Sequence, residues 1–176
     1  MVSRSRRGNV VPLVNQWHVI HEVDVVRLIA DHRRLAALCD LLERCADDLP
    51  TWPSPATTAH LRKALATLAQ PGGDDRPPYP TLAELIDIGA RHATDVTHAQ
   101  DLADALDAAP DGEQRVSPDT LGYMLRCFFN GCRQAMDCEE LAILALARHR
   151  LTRTAREALL DSLRFRAARR SVPLSP

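Results

Sequence analysis

The sequence predicts an all-α protein, an up-and-down four-helix bundle with an additional C-terminal helix. Apolar residues recur in steps of three and four along the chain, which is the spacing of an amphipathic helix. Aromatic residues make up only 4%, and no sustained alternation of polar and apolar residues indicates a strand. Long helices with narrow apolar stripes and short connections are typical of such a bundle.

The first two predicted helices end at proline-rich segments. The first spans about residues 23–49 and ends at LPTWPSP, and the second spans about residues 56–70 and ends at PGGDDRPPYP. Proline has no amide hydrogen and its ring clashes with the preceding helical turn, so neither segment continues a helix.

The third and fourth predicted helices have clear boundaries. The third spans about residues 81–109, between Pro80 and the turn PDG. The fourth runs to about residue 149 and starts at SPDT, where Ser117 is the predicted N-cap and Pro118 the first helical residue.

A fifth helix is predicted over about residues 152–170, before the proline-containing tail SVPLSP. We therefore predict an N-terminal extension over residues 1–21 and one helical-bundle domain over residues 22–172.

The composition excludes several classes of protein. The chain has 176 residues, enough for one domain with a full core. Its net charge is −1 and its basic residues are interspersed with acidic ones, which argues against nucleic acid and anionic membranes as partners. No apolar run approaches the roughly 20 residues that span a bilayer, and the N-terminus lacks the apolar segment of an export signal. We expect a cytoplasmic protein.

The five cysteines all lie on predicted helices and lack the spacing of a metal knot: Cys39, Cys45, Cys127, Cys132 and Cys138. Reduced thiols in the core or on the surface are therefore expected. Cys127 and Cys138 are eleven residues apart on one helix face, which leaves a redox-sensing role open.

Three predicted helices each carry one ionisable residue within the apolar stripe, namely His32, His92 and Glu139. Asp95 or Val96 fills the next gap in the stripe that contains His92. An isolated charge in an apolar interior costs several kcal/mol, so these groups need each other or a metal as partners. Two imidazoles with one or two carboxylates are ligands for iron, manganese or zinc. A hydrogen-bonded network and a metal site both remain open.

Two further polar residues, Glu140 on the fourth helix and His98 on the third, are expected outside the apolar stripes. Glu140 is rotated by about 100° from Glu139 around the helix, so we expect it to face solvent or the edge of a neighbouring helix. His98 falls among polar residues on the solvated face of the third helix.

Three stretches of the chain resemble the bacterial hemerythrin-like proteins, the HHE cation-binding family. RLIADHRRLAALCDLLERCADDLP resembles the family's first helix, which implies that His32 is an iron ligand. IGARHATDVTHAQDLADAL resembles the third helix and places a ligand at His92. LGYMLRCFFNGCRQAMDCEELAILALARHRL is similar to the fourth helix, where Glu139 takes the carboxylate position and Ala135 replaces a histidine. The resemblance covers about residues 25–170 and implies a hemerythrin-like bundle.

The family's second-helix signature is missing. Family members carry a cluster of the form H-H-x-D-E-E followed by L-F-P, whereas the corresponding region here reads LATLAQPGGDDRPPYPTL, with Asp74 and Asp75 as its acidic residues. A di-iron centre draws ligands from all four helices of the bundle. The resemblance therefore implies that most of the di-iron ligands are lost.

These observations lead to two expectations about function. The first is a non-catalytic sensing or interaction module, without enzyme activity, whose partner is another protein or a second copy of the chain. The alternative is a protein that binds a single iron or other divalent metal through His32, His92, Glu139 and Asp95, for sensing O₂ or NO or for handling iron. We expect either no cofactor or one metal ion, and not a full di-iron centre.

Overall fold

A computed structural model of the chain describes residues 22–69, 88–107, 114–147 and 149–170. These residues form five helices and no strand, so the predicted all-α class is confirmed for the described part of the chain. The helices are α1 (Glu22–Asp47), α2 (Pro55–Ala69), α3 (Ile88–Ala105), α4 (Pro118–Leu146) and α5 (Arg153–Arg170). None of these described helices is both long and apolar enough to cross a membrane.

The helix boundaries follow the local sequence signals. At the start of α4, the hydroxyl of Ser117 accepts a hydrogen bond from the backbone amide of Thr120 at 3.2 Å, and Pro118 is the first helical residue. The hydroxyl of Ser54 does the same for the amide of Thr57 in α2, also at 3.2 Å. The predicted start of the third helix, residues 81–87, lies outside the described residues.

α1 and α4 are antiparallel and pack along most of their length. Arg133 on α4 donates to Asp40 on α1 at 2.8 Å, and Arg126, two turns earlier on α4, donates to the backbone carbonyl of Ala46 at 3.0 Å. Later residues of α1 therefore meet earlier residues of α4. This helix pair is the scaffold on which the other three helices pack.

One half of the scaffold carries α2 and α3. The C-terminal half of α1 and the N-terminal half of α4 share a hydrophobic cluster with these two helices. Its fully buried large side chains are Leu42, Leu61, Leu65, Leu102, Leu106, Leu121 and Leu125. The four-helix up-and-down order stays a prediction, because the connection between α2 and α3 lies outside the described residues.

The other half of the scaffold carries α5. A second hydrophobic cluster joins the N-terminal part of α1, the C-terminal part of α4 and the start of α5, and it consists of Val25, Ile29, Ile143, Ala147, Ala155 and Leu159. Arg166 on α5 contacts Asp137 on α4, and Ser162 contacts Glu140, so α5 is antiparallel to α4. A group of polar side chains lies at the level where the two clusters meet along α1 and α4.

Candidate functional site

His32 lies on α1 between the two hydrophobic clusters and is 6% exposed. Its ring is held by two consecutive carboxylates of α4. Nδ1 lies 2.7 Å from Oε1 of Glu140, and Nε2 lies 3.2 Å from Oε2 of Glu139. Neighbouring positions on a helix point about 100° apart, so the two carboxylates approach opposite sides of one imidazole. The predicted meeting of His32 with Glu139 is present in the structure.

Glu140 is the more deeply buried of the two carboxylates, and the expectation that it faces solvent or a helix edge was wrong. It is 0% exposed, whereas the side chain of Glu139 is 23% exposed. Besides His32, Glu140 accepts a hydrogen bond from the hydroxyl of Ser162 at 3.1 Å and from Nη1 of Arg166 at 2.8 Å.

The position of α5 explains this error. A count in alternating steps of three and four follows a stripe that faces one partner helix. α4 contacts α1 on one side and α5 on the adjacent side, so its buried face is wider than one stripe. In the C-terminal half of α4 the buried residues are Met136, Glu140 and Ile143. Ala135, Glu139 and Ala142, which the count in steps of three and four places on the predicted stripe, are only partly buried.

Arg166 completes the site from α5. Its Nε donates to Oδ1 of Asp137 at 2.9 Å, and its Nη1 donates to both Glu140 and the hydroxyl of Ser162. Its Nη2 lies 2.8 Å from Oε2 of Glu140, an ion-pair distance without hydrogen-bond geometry. We call the six side chains the His32 cluster: His32, Asp137, Glu139, Glu140, Ser162 and Arg166.

The charges in the His32 cluster reinforce each other. Burial alone raises the pKa of Glu140, but hydrogen bonds from His32 and Arg166 and their positive charges hold this pKa below its ordinary value of 4.5. Burial alone lowers the pKa of His32, but the hydrogen bonds and charges of Glu139 and Glu140 raise this pKa above 6.5. An ionised carboxylate only accepts hydrogen bonds, so the ring nitrogen facing Glu140 carries a proton.

These pKa shifts predict a stability difference that depends on pH. Because the folded-state pKa of His32 is raised, its stabilisation is fully present below its unfolded pKa of about 6.5 and is lost as pH rises through the folded-state value. Because the folded-state pKa of Glu140 is lowered, its stabilisation is present above about 4.5 and is lost as pH falls through the folded-state value. Stability should therefore be greatest at mildly acidic pH.

Urea unfolding of the protein and of His32→Gln at a series of pH values measures this effect. The difference in free energy of unfolding between the two should shrink as pH rises above 6.5. A difference that stays constant from mildly acidic to alkaline pH would contradict the predicted shift at His32.

The structure supplies two of the four predicted metal-ligand side chains. His32 and Glu139 are in contact, whereas His92 and Asp95 lie on α3 and their side chains are outside the described part of the structure. Within the described ranges, no group of three or more histidine, cysteine or acidic side chains is arranged to hold a metal. The role of these four residues as ligands therefore stays a prediction.

The geometry around His32 fits a metal ion only in part. A metal-bound histidine commonly donates its other ring N–H to a carboxylate, as Nδ1 does here to Glu140. The 3.2 Å between Nε2 and Oε2 of Glu139 is close to the separation of about 3.0 Å between adjacent ligands that each lie about 2.1 Å from one ion. Two ligands do not make a stable protein site, which needs at least three.

A groove of about 820 Å³ adjoins the His32 cluster between α1, α4 and α5. Charged side chains of both signs line it. Arg133 bridges Asp40 at 2.8 Å and Glu43 at 2.7 Å across the α1–α4 interface, and Arg169 on α5 reaches Asp40 at 2.6 Å. Ion pairs between side chains of all three helices therefore cross the groove.

Sequence reasoning did not include Ser162 and Arg166. The two residues are four positions apart on α5, hence on one face, and a helical count of the fifth helix would have placed them together. That count alone does not show that this face meets Glu140.

Comparison with family models, curated proteins and solved structures returns no match to this chain. The resemblance to the hemerythrin-like proteins therefore stays a prediction that rests on the quoted stretches.

Proposed function

We propose that this chain is a hemerythrin-like helical bundle that serves as a non-catalytic sensing or interaction module. The observation that carries the proposal is the double engagement of His32 by Glu139 and Glu140. The side chains around His32, where the resemblance implies an iron ligand, form a buried ion-pair network. The up-and-down order of the four helices is part of this proposal.

The protonation state of His32 is the first line of support. An imidazole with a carboxylate at each ring nitrogen is most stable as the imidazolium, in which both nitrogens are donors. An imidazolium has no nitrogen lone pair to give to a metal. The raised pKa of His32 is in keeping with this form.

The connectivity of the His32 cluster is the second line of support. Its side chains come from α1, α4 and α5, and three of them, His32, Ser162 and Arg166, contact the fully buried Glu140. Such a network fixes which faces of the three helices meet, a structural role that does not need a catalytic group. We place the contact with a protein partner, or with a second copy of the chain, at the adjoining groove.

Metal binding and histidine protonation test the proposal together. In protein purified without a histidine tag, we expect well under one bound metal per chain and no rise in melting temperature with Fe²⁺, Mn²⁺ or Zn²⁺. The ¹⁵N chemical shifts of the His32 ring at neutral pH should show both nitrogens protonated. His98→Gln is the matched control, because His98 is an exposed histidine outside the cluster.

A single-metal site is the second candidate, favoured by the contact of Nδ1 with Glu140 and the 3.2 Å gap at Nε2. On this proposal, His32 and Glu139 are ligands together with His92 and Asp95, and Glu140 orients the imidazole. A metal-dependent rise in melting temperature that is lost in both His32→Gln and Glu139→Gln, but kept in His98→Gln, would establish this candidate and overturn the first.

A further inference from the structure

Two cysteines lie opposite each other where α1 packs against α4. Cys39 on α1 is 0% exposed and Cys132 on α4 is 3% exposed, and both belong to the same hydrophobic cluster. The contacts of His32 with Glu140 on one side and of Ala46 with Arg126 on the other place Cys39 opposite Cys132 in the antiparallel pair. None of the five cysteines, all of which are described, forms a disulfide.

The register of the two helices fixes this pair. Asp40 and Arg133, the residues that directly follow the two cysteines, make a salt bridge of 2.8 Å across the same interface. Arg133 also pairs with Glu43, one turn further along α1. Three charged groups thus hold α1 and α4 in the alignment that places Cys39 opposite Cys132.

The other cysteines do not offer such a pair. Cys127 is exposed and Cys138 is half-buried on the same helix, eleven residues apart, or roughly 16 Å at 1.5 Å per residue. They cannot bond to each other within one chain. The sequence pattern drew attention to these two cysteines, whereas the packing of α1 on α4 brings together Cys39 and Cys132.

We propose that Cys39 and Cys132 form a peroxide-sensitive dithiol, which closes reversibly to a disulfide between α1 and α4. This site is separate from the His32 cluster and does not depend on whether a metal binds there.

The surroundings make Cys39 the attacking thiol. The interaction with Cys132 lowers the pKa of Cys39 and the positive charge of Arg133 adds to this effect, which outweighs the opposing effects of burial and of the negative charge of Asp40. Thiolates, not thiols, react with peroxide, so a lowered pKa raises the reactive fraction. Cys132 is then the resolving thiol.

The reaction balances with hydrogen peroxide as the oxidant. The thiolate of Cys39 attacks one peroxide oxygen, the O–O bond breaks, and the leaving hydroxide takes a proton to become water, which leaves a sulfenic acid on Cys39. The sulfur of Cys132 attacks the sulfenic sulfur, and the hydroxyl group leaves as a second water with the proton of Cys132. The two thiols supply the two electrons that reduce the peroxide. A small dithiol reverses the disulfide by thiol exchange.

The groove passes close to the pair, although neither cysteine lines it. Its lining includes Ala36 and Asp40 on α1 and Arg133 on α4, all within one helical turn of one of the two cysteines. The sulfur atoms in a disulfide are only about 2.05 Å apart, closer than two sulfur atoms that are not bonded, so closure draws α1 and α4 together. The ion pairs of Arg133 with Asp40 and Glu43 must then readjust, and the shape of the groove depends on the redox state.

Peptide mapping after oxidation tests the proposal. Trypsin releases Cys39 in the peptide 35–44, but the peptide 127–133 contains both Cys127 and Cys132. The reference protein is therefore Cys127→Ser, a change at an exposed position. This protein is treated with hydrogen peroxide under native conditions, alkylated, digested and analysed by mass spectrometry, before and after reduction with dithiothreitol.

We expect a linked species of the peptides 35–44 and 127–133, with the intact chain lighter by two hydrogen atoms and monomeric. Dithiothreitol should reverse both changes. With Cys132→Ala added, the linked species should be absent and dimedone should label Cys39 as a sulfenic acid. With Cys39→Ala added, neither product should form.

Three results would overturn the proposal: no linked species, a linkage that involves other cysteines, or a linkage that forms only when urea unfolds the chain. Cys45→Ala is the matched control for a buried cysteine, since Cys45 lies in the same hydrophobic cluster, and it should react like the reference protein. Because the linked species is sought in a protein with an intact core, the result does not depend on whether the alanine variants fold.

Discussion

Replacing Glu140 with alanine is expected to lower the free energy of unfolding by about 3–5 kcal/mol, the range for removing one partner of a buried ion pair. Glu140 is fully buried and contacts His32, Ser162 and Arg166. Its removal leaves an imidazolium and a guanidinium in the interior without their shared acceptor. The cost therefore includes the desolvation of two cations as well as the lost hydrogen bonds.

Urea unfolding measures this effect, and Glu139→Ala is the matched control on the adjacent residue. Glu139 is partly exposed and contacts His32 at 3.2 Å, so its loss should cost at most about 1 kcal/mol. Glu140→Gln keeps the shape and removes the charge, so its effect should lie between those of the two alanine variants. Equal losses of unfolding free energy in Glu139→Ala and Glu140→Ala would contradict the larger contribution expected of Glu140.

Replacing Arg166 with methionine is expected to cost about 3 kcal/mol, the lower end of the range for breaking a buried ion pair. Methionine keeps much of the apolar stem but removes the guanidinium that joins α5 to Asp137 and Glu140 on α4. Glu140 retains His32 as a partner, so the loss is smaller than for Glu140→Ala.

Hydrogen exchange followed by mass spectrometry shows which helices lose stability in Arg166→Met. Amides of α5 should exchange faster in Arg166→Met, while those of α2 and α3 should change only as far as global stability falls. Arg164→Met is the control, because Arg164 pairs with Asp161 on the exposed side of α5 and both side chains are 74% exposed. If both variants behave alike, the contacts of Arg166 with α4 do not hold α5 in place.

The sequence allowed the helical class and several helix boundaries to be predicted, because both depend on local signals. Ser117 and Pro118 start α4 as expected, since capping and the fixed backbone of proline act within one turn. The inward position of His32 was also predictable, because α1 packs against α4 along one continuous stripe.

The choice between Glu139 and Glu140 could not be predicted in this way. It depends on where α5 lies against α4, and α5 begins only after α4 has ended. The apolar stripe of α4 reflects its packing against α1, whereas Glu140 is buried by its contacts with α5. The pairing of Cys39 with Cys132 depends likewise on the register between helices that are far apart in sequence.

The His32 cluster, which lies between the two hydrophobic clusters, also limits how far α5 can shift along α1 and α4. The apolar residues of α5 in the second cluster are small or spaced by one turn, namely Ala155 and Leu159 with Ala158 beside them. A shift by one turn would still place apolar residues in this cluster, although the different sizes of Ala155 and Leu159 would make them pack less well. The contacts of Ser162 and Arg166 with Glu140 are different, because a shift by one turn, about 5.4 Å, would leave charges buried without partners. The His32 cluster thus makes the protein less stable than a continuous apolar core would, but it specifies a single register for α5.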